Sequence, residues 1–186
     1  MRKPDGNIFV ADNSPWHSIS GNLPASDGYP EESDLYESDL YGVGLPPLDS
    51  PGATVRDSCL CGDITFQITE PFKVAHNCHC SRCRYGRATA HASNGFVSSD
   101  GLQYLTGEDR LRSYKVPEAK FFTQVFCATC SSLMPRRDID RGICVVPLGS
   151  LDDDAGVKPV DHIFIGNKAS WHDITDGLPQ FQEGPL

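Results

Sequence analysis

The sequence of residues 76–84 is HNCHCSRCR, which places three cysteines, Cys78, Cys80 and Cys83, within six positions. Thiolates are strong zinc ligands, and one short loop that carries three of them can supply three ligands to a single ion. The fourth position of a tetrahedral ion then stays open to water or substrate, as in catalytic zinc sites. The stretch predicts an open zinc site with Cys78, Cys80 and Cys83 as its catalytic ligands.

Four further cysteines flank this stretch in two close pairs. Cys59 and Cys61 are separated by one residue, and Cys127 and Cys130 by two. A pair in a tight turn directs two thiolates to one point, and two such pairs complete a tetrahedron. We expect these four residues to form a closed, structural zinc site, so that the chain binds two Zn²⁺ ions.

Other interpretations of the cysteines remain open at this point. Disulfides need an oxidising compartment and would leave unpaired thiols. The central zinc could be purely structural, with His76 or His79 as its fourth ligand, and His79 could act as a general base. Cys144 lies in the apolar run GICVVP at residues 142–147, where a cysteine behaves as a small core residue.

Short alternating segments predict the fold class. Residues 63–68, 122–126, 143–147 and 162–165 are β-type runs bounded by turn residues. The 14 prolines and 17 glycines of the chain favour many loops over long helices. The sequence predicts a mainly β fold built from small antiparallel sheets.

Charge and hydropathy limit the function classes. The formal net charge of −9 argues against a nucleic-acid partner, because phosphate binding needs clustered cations. Arg82, Arg84 and Arg87 form a local basic run, which either holds a small anionic substrate or is a solvated face. No stretch approaches the ~20 apolar residues of a membrane helix, and residues 1–6 lack the apolar run of a secretory signal. We expect a cytoplasmic protein without a membrane partner.

An internal repeat indicates the domain organisation. Residues 2–24 align without a gap on residues 157–179, at an offset of 155, with nine identities that include the pairs Trp16-His17 and Trp171-His172. We expect residues 1–28 to be a tail that resembles the C-terminal element of a preceding tandem domain. Residues 29–53 are acidic and rich in proline, as a linker is. Residues 54–186 form the predicted zinc-binding domain.

The motifs together resemble a known family. In order along the chain they are SCLCGDITFQI (58–68), HNCHCSRCR (76–84), VFCATC (125–130), VVPLGSLDDD (145–154) and HIFIGNKASWHDITDGLPQF (162–181). This series resembles the glutathione-dependent formaldehyde-activating enzyme family, which includes centromere protein V, over residues 58 to about 183. Family members usually carry glycine at the position of Ser131, where a positive φ suits glycine.

The resemblance implies a mainly β fold of the Mss4-like type with two zinc sites. Cys59, Cys61, Cys127 and Cys130 match the family's structural ligands, and Cys78, Cys80 and Cys83 match its catalytic ligands. The implied activity is that of a carbon-sulfur lyase that joins glutathione and formaldehyde. The alternative is a zinc-containing module that binds glutathione or another thiol without turnover. A small thiol and a small aldehyde are thus the expected partners, and the oligomeric state is left open.

Overall fold

The computed structural model describes residues 4–28 and 54–184. The described part is built mainly of short strands, as predicted, and its one α-helix, α1, spans Ser81–Arg87. Within these residues no helix has the length and apolar character that a bilayer crossing needs. The strands are β1 (Val55–Ser58), β2 (Thr65–Ile68), β3 (Val74–Cys78), β4 (Ala92–Ser98), β5 (Leu102–Thr106), β6 (Leu111–Lys115), β7 (Thr123–Cys127), β8 (Leu133–Met134), β9 (Arg136–Asp138), β10 (Ile143–Pro147) and β11 (His162–Ile163).

The strands form three small sheets. The largest has five strands in the order β11-β3-β4-β10-β9, and the two others are β1-β2-β5 and β6-β7-β8. The expectation of antiparallel sheets needs one correction, because β11 pairs with β3 in parallel. This pairing brings the C-terminal element of the chain alongside the strand that ends at Cys78.

The apolar core lies between the sheets. Residues on one face of β2, Phe66 and Ile68, are fully buried together with Val146 of β10, as the alternating sequence predicts. Burying each of these side chains stabilises the fold by about 1.5–3 kcal/mol. Cys144 is also fully buried in this cluster, which confirms that it behaves as a core residue.

The N-terminal segment, residues 4–28, repeats the local structure of the C-terminal element. Phe9 and Phe164 both adopt a left-handed backbone, with φ of 55° and 58°, and each precedes a 3₁₀ turn. The isolated bridge between Asn7 and Ala25 has its counterpart between His162 and Gln180. The sequence repeat is therefore also a structural repeat.

The two copies pack against each other. The hydroxyls of Ser20 and Thr175 occupy equivalent positions of the repeat and are hydrogen-bonded at 2.7 Å. The predicted linker, residues 29–53, lies outside the described residues. The division of the chain into tail, linker and domain stays a prediction.

Candidate metal centres

The sulfurs of the four outer cysteines lie close together, although more than sixty positions separate the two pairs. The outer cysteines are Cys59, Cys61, Cys127 and Cys130. The Cys59 and Cys61 sulfurs are 3.4 Å apart, and the Cys61 and Cys127 sulfurs are 3.8 Å apart. Cys130 completes the group, in which all four sulfurs lie within 4.8 Å of one another. A tetrahedral zinc with ~2.3 Å bonds separates its sulfur ligands by about 3.8 Å. This group could hold a metal ion.

Each outer pair sits in a tight turn that the backbone closes. Backbone N–H groups donate from Cys59 to the Ile64 carbonyl at 2.9 Å and from Cys127 to the Ser132 carbonyl at 3.0 Å. Both turns contain a residue with positive φ, Gly62 at 76° and Ser131 at 63°. Serine thus keeps the left-handed backbone that glycine favours, at a cost of about 1 kcal/mol.

Backbone N–H groups donate to two of the outer sulfurs, and hydrogen bonds lower the pKa of a third. The backbone N–H groups of Ile64 and Thr129 point at the sulfurs of Cys59 and Cys127, at 3.3 Å and 3.4 Å. Burial opposes ionisation of Cys130, but hydrogen bonds with Ser132 lower its pKa to about 6. Thiolates are the form that binds a metal.

The three central cysteines also converge. Cys78 ends β3, Cys80 caps the N-terminus of α1, and Cys83 lies in its first turn. Their sulfurs lie within 4.8 Å of one another, and the Cys80 sulfur accepts a hydrogen bond from the Cys83 N–H at 3.4 Å. Cys78 and Cys83 are buried, whereas Cys80 is partly exposed. This second group of sulfurs could also hold a metal ion.

One thiol of the central cluster is the preferred thiolate. Hydrogen bonds with the thiols of Cys78 and Cys83 lower the pKa of Cys80 to about 2. The hydrogen bond with Cys80 raises the pKa of Cys78 above its usual range. Burial lowers the pKa of the nearby Arg87, and electrostatic interactions with Cys83, Cys78 and Cys80 oppose this lowering. Arg87 is therefore a cation beside the cluster.

Two cavities lie next to these groups. One, of about 740 Å³, is lined by Arg87, Cys59 and His91. The other, of about 800 Å³, lies between the two copies of the repeat and is lined by residues that include Trp16, His17, Trp171 and His172. The central cysteines themselves do not line either cavity. Arg87 lines the first cavity and interacts electrostatically with the three cysteines.

The histidines of the motif do not join the central cysteines. His76 has its Nδ1 atom 2.7 Å from the Asp161 carboxylate. His79 is fully buried, and its Nε2 atom lies 2.8 Å from Nδ1 of His162. Neither histidine belongs to the metal-ligand group of Cys78, Cys80 and Cys83.

Sequence reasoning missed a third group of possible metal ligands, His79, His91 and His172. Burial first, and then the neighbouring histidines, lower the pKa of His79 to about 3 and that of His91 to about 4. Burial, together with the Lys168 charge, also lowers the pKa of His172. All three rings are neutral at pH 7. No spacing signal links them, because they come from three separate parts of the chain.

Comparisons with known proteins agree with the cysteine geometry. The family model described as glutathione-dependent formaldehyde-activating enzyme matches residues 54–167, more than half of the chain. No curated protein sequence matches this chain. The solved structures that match include a crystal structure of a Rhodobacter sphaeroides protein, which is 23% identical with a TM-score of 0.41 and covers 56% of this chain and 91% of its own. All eight cysteines fall within the range that the family model matches.

Proposed function

Since this chain belongs to the glutathione-dependent formaldehyde-activating enzyme family, we propose that it is a zinc-dependent carbon-sulfur lyase. The reaction is the reversible addition of a thiol such as glutathione to formaldehyde or a related small aldehyde. The mainly β architecture agrees with the Mss4-like fold of the family. The observation that carries the proposal is the convergence of Cys78, Cys80 and Cys83, with the half-buried Arg87 in electrostatic interaction with them.

The two cysteine groups have different roles in this proposal. Cys59, Cys61, Cys127 and Cys130 bind a structural zinc, because four protein ligands fill its tetrahedral coordination. Cys78, Cys80 and Cys83 bind a catalytic zinc, because three ligands leave one position for a reactant. A zinc ion there would supply Lewis acidity and lower the pKa of a nearby thiol.

The addition is redox-neutral and its atoms balance without a further reactant. The thiol sulfur forms a bond to the carbonyl carbon, and the C=O π bond breaks. The proton lost by the thiol ends on the former carbonyl oxygen, which becomes the hydroxyl of the thiohemiacetal. The chain therefore has to bind a thiolate near the aldehyde and hold both in place.

Arg87 is the residue best placed to bind the thiol substrate. Arg87 lines the 740 Å³ cavity and interacts electrostatically with the three central cysteines. Glutathione carries two carboxylates, and arginine binds a carboxylate through two parallel hydrogen bonds. Binding at Arg87 would bring the thiol of such a substrate towards the central cluster.

The rate of exchange between free glutathione and its adduct with formaldehyde tests the proposal. The zinc-loaded full chain is mixed with glutathione and formaldehyde, and magnetisation-transfer NMR measures the interconversion rate at equilibrium. We expect the protein to raise this rate above the uncatalysed value. The Cys80→Ser variant should lose the increase, whereas Cys144→Ala, which changes a cysteine outside both clusters, should keep it.

The same experiment separates the enzyme from the binding module. Arg87→Gln should raise the glutathione concentration needed for half-maximal rate by about tenfold, the equivalent of one lost charged hydrogen bond. Glutathione binding without any rate increase would support the non-catalytic module instead. A rate increase that survives Cys80→Ser would contradict the role of the central cluster.

A further inference from the structure

The histidine group is separate from both cysteine groups. His79 follows β3, His91 precedes β4, and His172 lies in the second copy of the repeat, beyond β11. Ligand nitrogens of the three rings lie within 4.8 Å of one another. Neighbouring ring centroids are 5.1 Å apart for His79 and His91 and 5.4 Å for His91 and His172. Tertiary folding thus assembles three imidazoles at one place.

A chain of hydrogen bonds sets the tautomer of His79. The Asp176 carboxylate lies 2.9 Å from Nε2 of His162 and can accept a hydrogen bond from it. The Nδ1 atom of His162 lies 2.8 Å from Nε2 of His79. In the tautomer in which Nε2–H of His162 donates to Asp176, this Nδ1 atom accepts from the Nε2–H of His79. His79 is left with a lone pair on Nδ1. Metal-binding histidines are oriented by this kind of carboxylate and histidine support.

The lone pair of His79 has no protein partner. Within the described residues, the Nδ1 atoms of His79 and His91 are buried and lack a hydrogen-bond partner. Each buried nitrogen without a partner costs about 1–3 kcal/mol. Two such nitrogens in one cluster indicate a shared bound species that accepts their lone pairs. A metal cation is such a species.

The geometry and surroundings suit a transition-metal ion. A tetrahedral ion with ~2.0–2.1 Å Zn–N bonds holds its nitrogens about 3.3 Å apart, so the rings need to approach by at most ~1.5 Å. The Lys168 ammonium donates a hydrogen bond to the His172 carbonyl and so links the two ends of the segment 168–172. The Lys168 charge opposes a cation, whereas the carboxylates of Asp173 and Asp176 favour one.

We infer that His79, His91 and His172 form a third metal site, which binds a divalent transition ion such as Zn²⁺. Imidazole nitrogens suit zinc, copper and nickel better than calcium or magnesium. His91 and His172 line the 800 Å³ groove between the two copies of the repeat, so the site borders that groove. A small ligand can bind the ion there, at a place distinct from the central cysteines.

Cobalt titration of the full chain, loaded with only the two equivalents of Zn²⁺ that the two cysteine groups take, tests this inference. Co²⁺ bound by imidazoles shows visible d–d bands without the sulfur-to-metal charge-transfer band that thiolate sites produce. We expect one equivalent of Co²⁺ with this histidine signature. His91→Gln and His172→Gln should each weaken its binding at least tenfold, and Asp176→Asn should weaken it by about 10–100-fold through the loss of support for His79.

His17→Gln is the matched control. His17 is the repeat equivalent of His172 at an offset of 155, it lines the same groove, and it lies outside the histidine group. The control should keep full affinity, and circular dichroism should show that all variants are folded. The inference is overturned if the wild-type chain shows no histidine-type cobalt signal. It is also overturned if His91→Gln and His172→Gln keep the signal, or if His17→Gln loses it equally.

Discussion

Replacing one cysteine in each sulfur group should have very different effects on stability. Cys127→Ser removes a ligand from the closed site, and Cys80→Ser removes one from the central site. Structural zinc binding contributes folding free energy, with apparent values of about 10–16 kcal/mol. That range is as large as the ~5–15 kcal/mol stability of a typical domain. We expect Cys127→Ser to unfold the protein and Cys80→Ser to leave it folded.

The lengths of the closed loops provide the magnitudes. The outer site joins Cys61 to Cys127, which are 66 positions apart. A cross-link that closes such a loop lowers the conformational entropy of the unfolded chain. This destabilises the unfolded state by about 4 kcal/mol. The central site spans the 5 positions from Cys78 to Cys83, for which the same relation yields about 2 kcal/mol. The outer site therefore constrains the unfolded chain about twice as strongly, in free energy, as the central site.

Guanidinium unfolding followed by circular dichroism, together with zinc analysis, measures both effects. Cys80→Ser should lose one zinc and about 2 kcal/mol of unfolding free energy. Cys144→Ala is the control, because it removes a buried sulfur from neither group and should keep all zinc. If Cys80→Ser unfolds as completely as Cys127→Ser, the central zinc is structural. The reasoning from loop length is then wrong, and the proposed enzyme loses its main support.

Three further predictions concern the turn, an ion pair and the linker. Ser131→Gly should raise the unfolding free energy by about 0.5–1 kcal/mol, because glycine adopts the observed φ of 63° without strain; an unchanged denaturation midpoint would contradict this. Asp153→Asn should cost about 1–2 kcal/mol at pH 7, since the hydrogen bond with Arg56 lowers the pKa of Asp153. This contribution is present above the unfolded pKa of about 3.9 and is lost as pH falls through the lower folded pKa, so the two proteins should converge in acid. A glutamyl protease should cut first within residues 29–53 and leave residues 54–186 resistant, as mass spectrometry of the fragments would show; a first cut within residues 54–186 would contradict the predicted domain boundary.

Much of the fold and both sulfur groups could be predicted from local sequence. The run at Ile143–Pro147 coincides with β10, because burial of alternate side chains favours a strand wherever turn residues bound the segment. Cys78, Cys80 and Cys83 converge because a strand end and one helical turn lie between them. The outer cysteines could be assigned to one site because each pair already directs two sulfurs to one point.

Only the tertiary structure decided the parallel pairing of β11 with β3 and the histidine group. His79, His91 and His172 are separated by 12 and 81 positions, and such spacings carry no local geometric constraint. Their rings meet because the C-terminal element returns to the strand that ends at Cys78, a long-range contact that depends on packing of the whole chain. The pattern of residues thus determined the sulfur chemistry, whereas tertiary packing decided which distant histidines became neighbours.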